Sequence, residues 1–266
     1  MDESTAFDAV IPFHSKDAAI LPYCIMSLRN YAVGLQTIYV ISKDDPEEDC
    51  VWIPEESFSF SIESVSEVIH STNGRQGWYY QQLLKLYVFR DIPGIRSHVL
   101  WFDSDLVLCR PIRFFQDGKT LLDWSEPQGH AAYFEHGEKV LGDSFCQMTP
   151  DKCGIADHMM VSRPILEAML MKIETRAEKP AWIALLEAVD PKDWDFSGMS
   201  EYELYYNHAL MWYAESHALR HLEKGRGTSF RALTEGSQSA DMIAFHAWLT
   251  TLHNSQIESS RTGVTA

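Results

Sequence analysis

The sequence predicts one α/β domain built on a parallel sheet, and three observations carry that reading. Residues 7–41 run strand, helix, strand: FDAVIP, a helical stretch from Ala18 to Tyr31, then QTIYVI. Parallel strands need a long crossover, and a helix inside such a short span makes this a βαβ unit. A second apolar segment, VLWFDSDLVL from Val99 to Leu108, follows a strongly helical stretch, WYYQQLLKLYVF at 78–89. No internal repeat or linker interrupts the chain, and 266 residues suit a single α/β domain.

Taken in order, Phe7 to Pro12 is a short apolar strand stopped by its proline, and His14 to Asp17 is a polar loop. Ala18 to Tyr31 places Ile20, Leu21, Cys24, Leu28 and Tyr31 at helical spacing. Gln36 to Ile41 is a strand ended by the acidic turn SKDDPEED. Within residues 51–69, FSFSIESVSEVI alternates and reads as an extended or edge element. Asn73-Gly74 and Gly77 mark a loop before helix 78–89, and Pro93-Gly94 ends that helix. Val99 to Leu108 reads as a buried strand, Asp117-Gly118 as a turn and residues 130–154 as irregular. Asp157 to Glu178 reads as a short strand and then a helix with Pro164 near its start. Helical stretches follow at 180–189 and 200–218. The polar, Gly/Ser/Thr-rich tail, 254–266, reads as disordered, which leaves a domain of residues 1–253.

Composition narrows the function. With 22 basic and 38 acidic residues the formal charge is −16, which argues against nucleic acid, whose binding depends on Lys and Arg neutralising phosphate. It also argues against broad adhesion to anionic lipid. Five cysteines without a CxxC pair read as reduced thiols. The N-terminus carries acids where a signal peptide needs base, and no window reaches a membrane-spanning length. A soluble cytoplasmic protein is the expectation.

The chemistry centres on Asp103 and Asp105, two carboxylates at spacing two beside an apolar run. Burying them is costly unless something pairs with them, and such a pair suits a divalent cation bridging phosphate oxygens. Open α/β sheets bind ligands in the crevice beyond their strand C-termini, where this pair falls. The plain alternative is a strand-end turn with two solvated acids.

Five segments, FDAVIPFHSKD, GWYYQQLLKLYVF, VLWFDSDLVLCRPI, HMMVSRPILEAML and FSGMSEYELYYNHAL, resemble in that order the GT-A class of glycosyltransferases. More narrowly they resemble DUF6492, a bacterial family of predicted glycosyltransferases. The resemblance implies a Rossmann-like GT-A fold, a mixed central sheet flanked by helices. It implies a nucleotide-sugar-binding half at residues 7–110 and an acceptor-binding half at 111–253. Mn²⁺ or Mg²⁺ would be held together with a nucleoside diphosphate sugar, a UDP-sugar foremost, bridging both phosphates as the diphosphate departs. Asp103 would sit nearer the ribose or sugar, with Ser104 beside it, and Asp105 would be the stronger metal ligand. His246, in MIAFHAW, is the candidate C-terminal metal ligand, against the alternative of a core histidine; His253 is a poorer one. The acceptor would be a glycan or lipid-linked glycan of bacterial surface polysaccharide synthesis. A lipid-linked acceptor would bring transient membrane association at the inner membrane face. The oligomeric state is left open.

Other residues take candidate roles around this centre. Pro12 and His14 end the first strand, where a backbone clasps a base, and Asp17 could accept from ribose or uracil or simply cap a helix. Lys85 and Arg75 could bring compensating charge to the diphosphate or the aspartates, or Lys85 could snorkel to solvent. Ser200 and Glu203 fit a capping box, which leaves Glu201 the freer carboxylate, its pKa lowered by the helix dipole. Glu201 is the expected base of an inverting transfer, with Asp157 the runner-up. His158, Tyr202 and Glu203 are expected to face the acceptor. Two readings of other classes stand beside this one. One is a haloacid-dehalogenase-like phosphatase with Asp103 as nucleophile. The other is a non-catalytic nucleotide- or glycan-binding relative.

Overall fold

The structure, a computed structural model, describes residues 5–227 and 239–246. The expected tail at 254–266 and His253 lie outside the described residues. The chain opens with β1 (Phe7–Pro12), α1 (Leu21–Tyr31), β2 (Ala32–Val33), β3 (Leu35–Ser42) and β4 (Val51–Pro54). Next come α2 (Ile62–Val68), α3 (Gln76–Asp91), β5 (His98–Phe102), β6 (Leu106–Leu108), β7 (Ile112–Arg113), β8 (Phe115–Gln116), β9 (Lys119–Trp124) and α4 (Ala131–Leu141). The chain continues with β10 (His158–Ser162), α5 (Arg163–Ala177), α6 (Ala181–Glu187), α7 (Glu201–Tyr213), β11 (His217–His221), β12 (Lys224–Arg226) and β13 (Met242–Ala244).

The central sheet has the order β10-β5-β1-β3-β4. β5, β1, β3 and β4 are parallel, and β10 joins β5 antiparallel, pairing His158 with Phe102. This is the mixed central sheet flanked by helices that the GT-A resemblance implies. β1, β5 and β10 are buried along nearly their whole length, because both faces of the sheet are covered there. Side chains alternate between the two cores. Val10, Val99, Trp101 and Met159 pack with α3, α5 and α7 on one side. Ala9, Ile11, Leu100 and Phe102 pack with α1 on the other.

Three local expectations are corrected. Val99–Leu108 is not one strand: β5 ends at Phe102, and β6 leaves for a separate sheet of order β12-β13-β6. The Asp-Ser-Asp turn occupies the break between two sheets. Within 58–69, Ile62–Val68 is helix rather than an extended element: Ser61 caps α2 by accepting from Ser64 N–H, and helix wins over the period-two pattern. Residues 130–154 are not wholly irregular, since α4 forms there with Gly137 pressed on Phe145, where a Cβ would come within 2.1 Å of the ring. No helix among the described residues is long and apolar enough to cross a membrane.

His136 on α4 is 1% exposed; its Nε2 lies 2.8 Å from the Leu185 carbonyl, and its Nδ1 has no partner. Burial pushes its pKa down to about 4. The unfolded chain therefore takes up this proton first as pH falls. Stability is complete above the unfolded value near 6.5 and falls between there and about 4, by about 3 kcal/mol. Replacing His136 with Gln should flatten that part of the stability–pH profile measured by urea unfolding.

Candidate active site

The site forms where β1 and β5 end. Asp103 leaves β5 and is fixed by its backbone: its N–H donates to the Asp157 carbonyl at 3.1 Å, and its carbonyl accepts from Leu106 at 3.2 Å. Ser104 is buried and donates to Asp17 Oδ2 at 2.9 Å, tying the turn to the 3-10 turn Ser15–Asp17 that follows β1. Asp17 therefore holds the loop rather than capping a helix; His14 does the capping, accepting from Lys16 N–H at 3.2 Å. Burial raises the pKa of Asp17. Pro12 is buried at the end of β1, in register with Ile41.

Lys85 is the central cation. It lies on α3, 1% exposed, and its Nζ donates to Asp103 Oδ1, to Glu201 Oε1 at 2.9 Å and to the Tyr202 hydroxyl at 2.9 Å. Tyr202 in turn donates to Asp103 Oδ1 at 3.1 Å. Burial alone would lower the Lys85 pKa, but Asp103 and Glu201 outweigh it and hold the ammonium charged. Lys85 therefore does not snorkel. Arg75 goes elsewhere: its guanidinium donates to the Phe196 carbonyl at 2.8 Å and Ser197 Oγ at 2.9 Å.

The expected freedom of Glu201 is corrected. Glu201 is 4% exposed, its N–H donates to Gln82 Oε1 at 3.0 Å, and its carboxylate is bound to Lys85. Burial raises its pKa against the pull of Lys85, the opposite of the dipole lowering expected from sequence. Ser200 does cap α7, accepting from Glu203 N–H at 3.2 Å. The Glu203 carboxylate, however, turns to Gly154 N–H at 3.3 Å and Asn207 at 2.8 Å.

Asp105 stands among like charges. Burial first, then Asp103, Asp17 and Asp157, push its pKa up to about 8. His246 Nδ1 is 3.7 Å from Asp105 Oδ2, brought there by the antiparallel pairing of β13 with β6. Among the described residues no three His, Cys, Asp or Glu side chains already stand together as a ligand set. Asp105 and His246 are donors of the kind a hard divalent cation takes, whereas Asp103 and Asp157 are already paired with Lys85 and Lys224.

A cleft of about 800 Å³ opens on this region, lined among others by Asp157, His158, Lys224, Arg226 and His246. Asp157 adopts a left-handed backbone (φ 63°), and its carboxylate pairs with Lys224. His158 is 1% exposed and fully engaged, Nε2 with Asp123 Oδ2 and Nδ1 with the Ala156 carbonyl, both at 2.9 Å. Neither His158 nor buried Tyr202 is thus offered to an acceptor; each holds its neighbours.

Asp123 and Arg220 were not singled out from sequence. Arg220 grips Asp123 through Nε to Oδ1 at 2.6 Å and Nη2 to Oδ2 at 2.7 Å. Burial would raise the Asp123 pKa, but Arg220 and His158 lower it. The available signal was an aspartate ending an apolar run, LLDW, as Asp103 ends VLWF. Arg220→Met should destabilise the protein by about 2 kcal/mol, less than a fully buried pair because Arg220 is partly exposed, as a thermal melt would read.

No match is found among curated proteins. Among solved structures, the apo form of mouse xyloside xylosyltransferase 1 is similar over 91% of this chain and 97% of that chain, at 11% identity and a TM-score of 0.47. Residues 8–243 match DUF6492, described as a family of unknown function, and the chain belongs to that family.

Proposed function

We propose that the protein is a metal-dependent glycosyltransferase taking a nucleoside diphosphate sugar, a UDP-sugar foremost. In this reading it transfers the sugar to a glycan acceptor, free or lipid-linked, in bacterial surface polysaccharide synthesis at the inner membrane face. One observation carries the reading. Asp105 lies at the strand ends among Asp103, Asp17 and Asp157, with His246 3.7 Å away and an 800 Å³ cleft alongside. Ligands of open α/β sheets bind at this end. The resemblance of the five sequence segments to GT-A enzymes supports the same reading.

Asp105 and His246 would hold Mn²⁺ or Mg²⁺, with Asp103 completing the carboxylate pair. Such a cation offsets the charge that develops on a departing diphosphate. Lys85 is a positioning residue: it fixes the Asp103 carboxylate and carries Glu201 and Tyr202 with it. Pro12 and His14 flank the nucleotide base. Lys224 and Arg226 are the cations of the cleft wall that a diphosphate would meet, among carboxylates that a bound divalent cation would have to offset. For an inverting transfer the base is Asp157, whose carboxylate reaches the cleft, rather than Glu201 in its buried ion pair.

The test is turnover. Incubated with a panel of UDP-sugars and Mn²⁺, the protein should release UDP slowly by donor hydrolysis, and a chelator should stop it. Release of phosphate from p-nitrophenyl phosphate, without UDP release, would sink this reading in favour of Asp103 as a phosphatase nucleophile. No other observation favours the phosphatase or the non-catalytic reading.

A further inference from the structure

We infer that the acceptor is an uncharged oligosaccharide several residues long, lying in a groove that leads away from the acidic site; this rests on the transferase reading. A cleft of about 600 Å³ shares Pro127, Gln128 and Ile155 with the 800 Å³ cleft. A third, of about 490 Å³, shares Gly129, His130 and Ala131 with the second. Each is large enough for a small ligand, so depressions with common walls along residues 127–131 suit a chain rather than one sugar.

Acidic side chains line the groove along its length. The first cleft sets Lys224 and Arg226 against Asp123, Glu126, Asp157 and Glu223. The second is lined by Glu135, Glu138 and Glu203, with neither Lys nor Arg in its wall. Exposed Lys192 stands 3.5 Å from Glu135 and offsets one of these charges. The third contains Arg75, but Phe196 and Ser197 occupy its guanidinium, which also stacks over Trp78 at 4.1 Å. Asp193 and Asp195 share that wall. Carboxylates outnumber Lys and Arg in each of the three walls, so the field disfavours anionic sugars along the whole groove.

Two further features suit a neutral sugar. The Glu203 carboxylate accepts from Gly154 N–H, Asn207 and the Cys153 thiol, which leaves about one lone-pair site for a hydroxyl in the second cleft. Phe196, 66% exposed at the third cleft, presents an open aromatic surface that the C–H face of a sugar can cover.

Full-length protein, fluorescently labelled, would be applied with Mn²⁺ and UDP to an array of neutral and uronic-acid glycans of one to six residues. Retention should rise with length on neutral glycans and be absent on uronic-acid ones. Phe196→Ala should lower retention on the longer neutral glycans about fivefold and leave single residues unchanged. Glu138→Lys, on the exposed face of α4, should admit acidic glycans. No retention of folded protein, equal retention of acidic glycans, or indifference to Phe196→Ala would overturn the inference. UDP release from UDP-sugars, followed on the same preparation, separates the two ideas. Release without retention discards the groove alone, and retention without release discards the transferase and with it the acceptor role, leaving only a glycan-binding groove.

Discussion

Lys85→Met will destabilise the protein by about 3–5 kcal/mol, the loss found when one partner of a buried ion pair is removed. Lys85 is 2% exposed in its side chain, and both Asp103 and Glu201 depend on it. Met fills similar volume, so the loss is electrostatic rather than a cavity. Without the ammonium, buried Glu201 loses the counter-charge that holds its pKa down. The penalty should therefore shrink as pH falls and Glu201 takes up a proton. Urea unfolding at pH 7.5 and pH 5 reads both parts. Glu201→Gln should cost less, because Gln still accepts from Lys85 and the Lys85–Asp103 pair survives. Equal losses for the two variants would show that Lys85 is not the hub.

How far this centre was legible in the sequence depends on the kind of contact involved. Asp103 and Lys85 could each be singled out because a charged residue inside an apolar run is conspicuous. That Lys85 meets Glu201, 116 residues away, could not be seen, since α3 and α7 come together only when both pack on one face of the sheet. Glu201 illustrates the error that results: its place at a helix start predicts a lowered pKa, and burial reverses the sign. The Asp123–Arg220 pair was invisible for a similar reason, because it depends on the parallel pairing of β9 with β11. The βαβ unit and the helix before β5 were readable because their periodicity is local. α4 was not, because its Gly137 reads as a break in sequence and becomes a close packing contact in the fold.

Asp105→Ala should weaken metal-dependent nucleotide binding about a hundredfold while leaving the fold intact. Burial and three neighbouring aspartates push the Asp105 pKa up to about 8, so its carboxyl adds little to stability near neutral pH. A thermal melt should accordingly show no loss of stability. The most direct measurement is a calorimetric titration of Mn²⁺ into wild-type and Asp105→Ala protein, with and without UDP. The proposed function predicts that wild type binds UDP only in the presence of Mn²⁺ and that the variant binds it about a hundredfold more weakly. UDP binding that ignores Mn²⁺, or that survives the substitution unchanged, would contradict a metal-dependent donor site at Asp105.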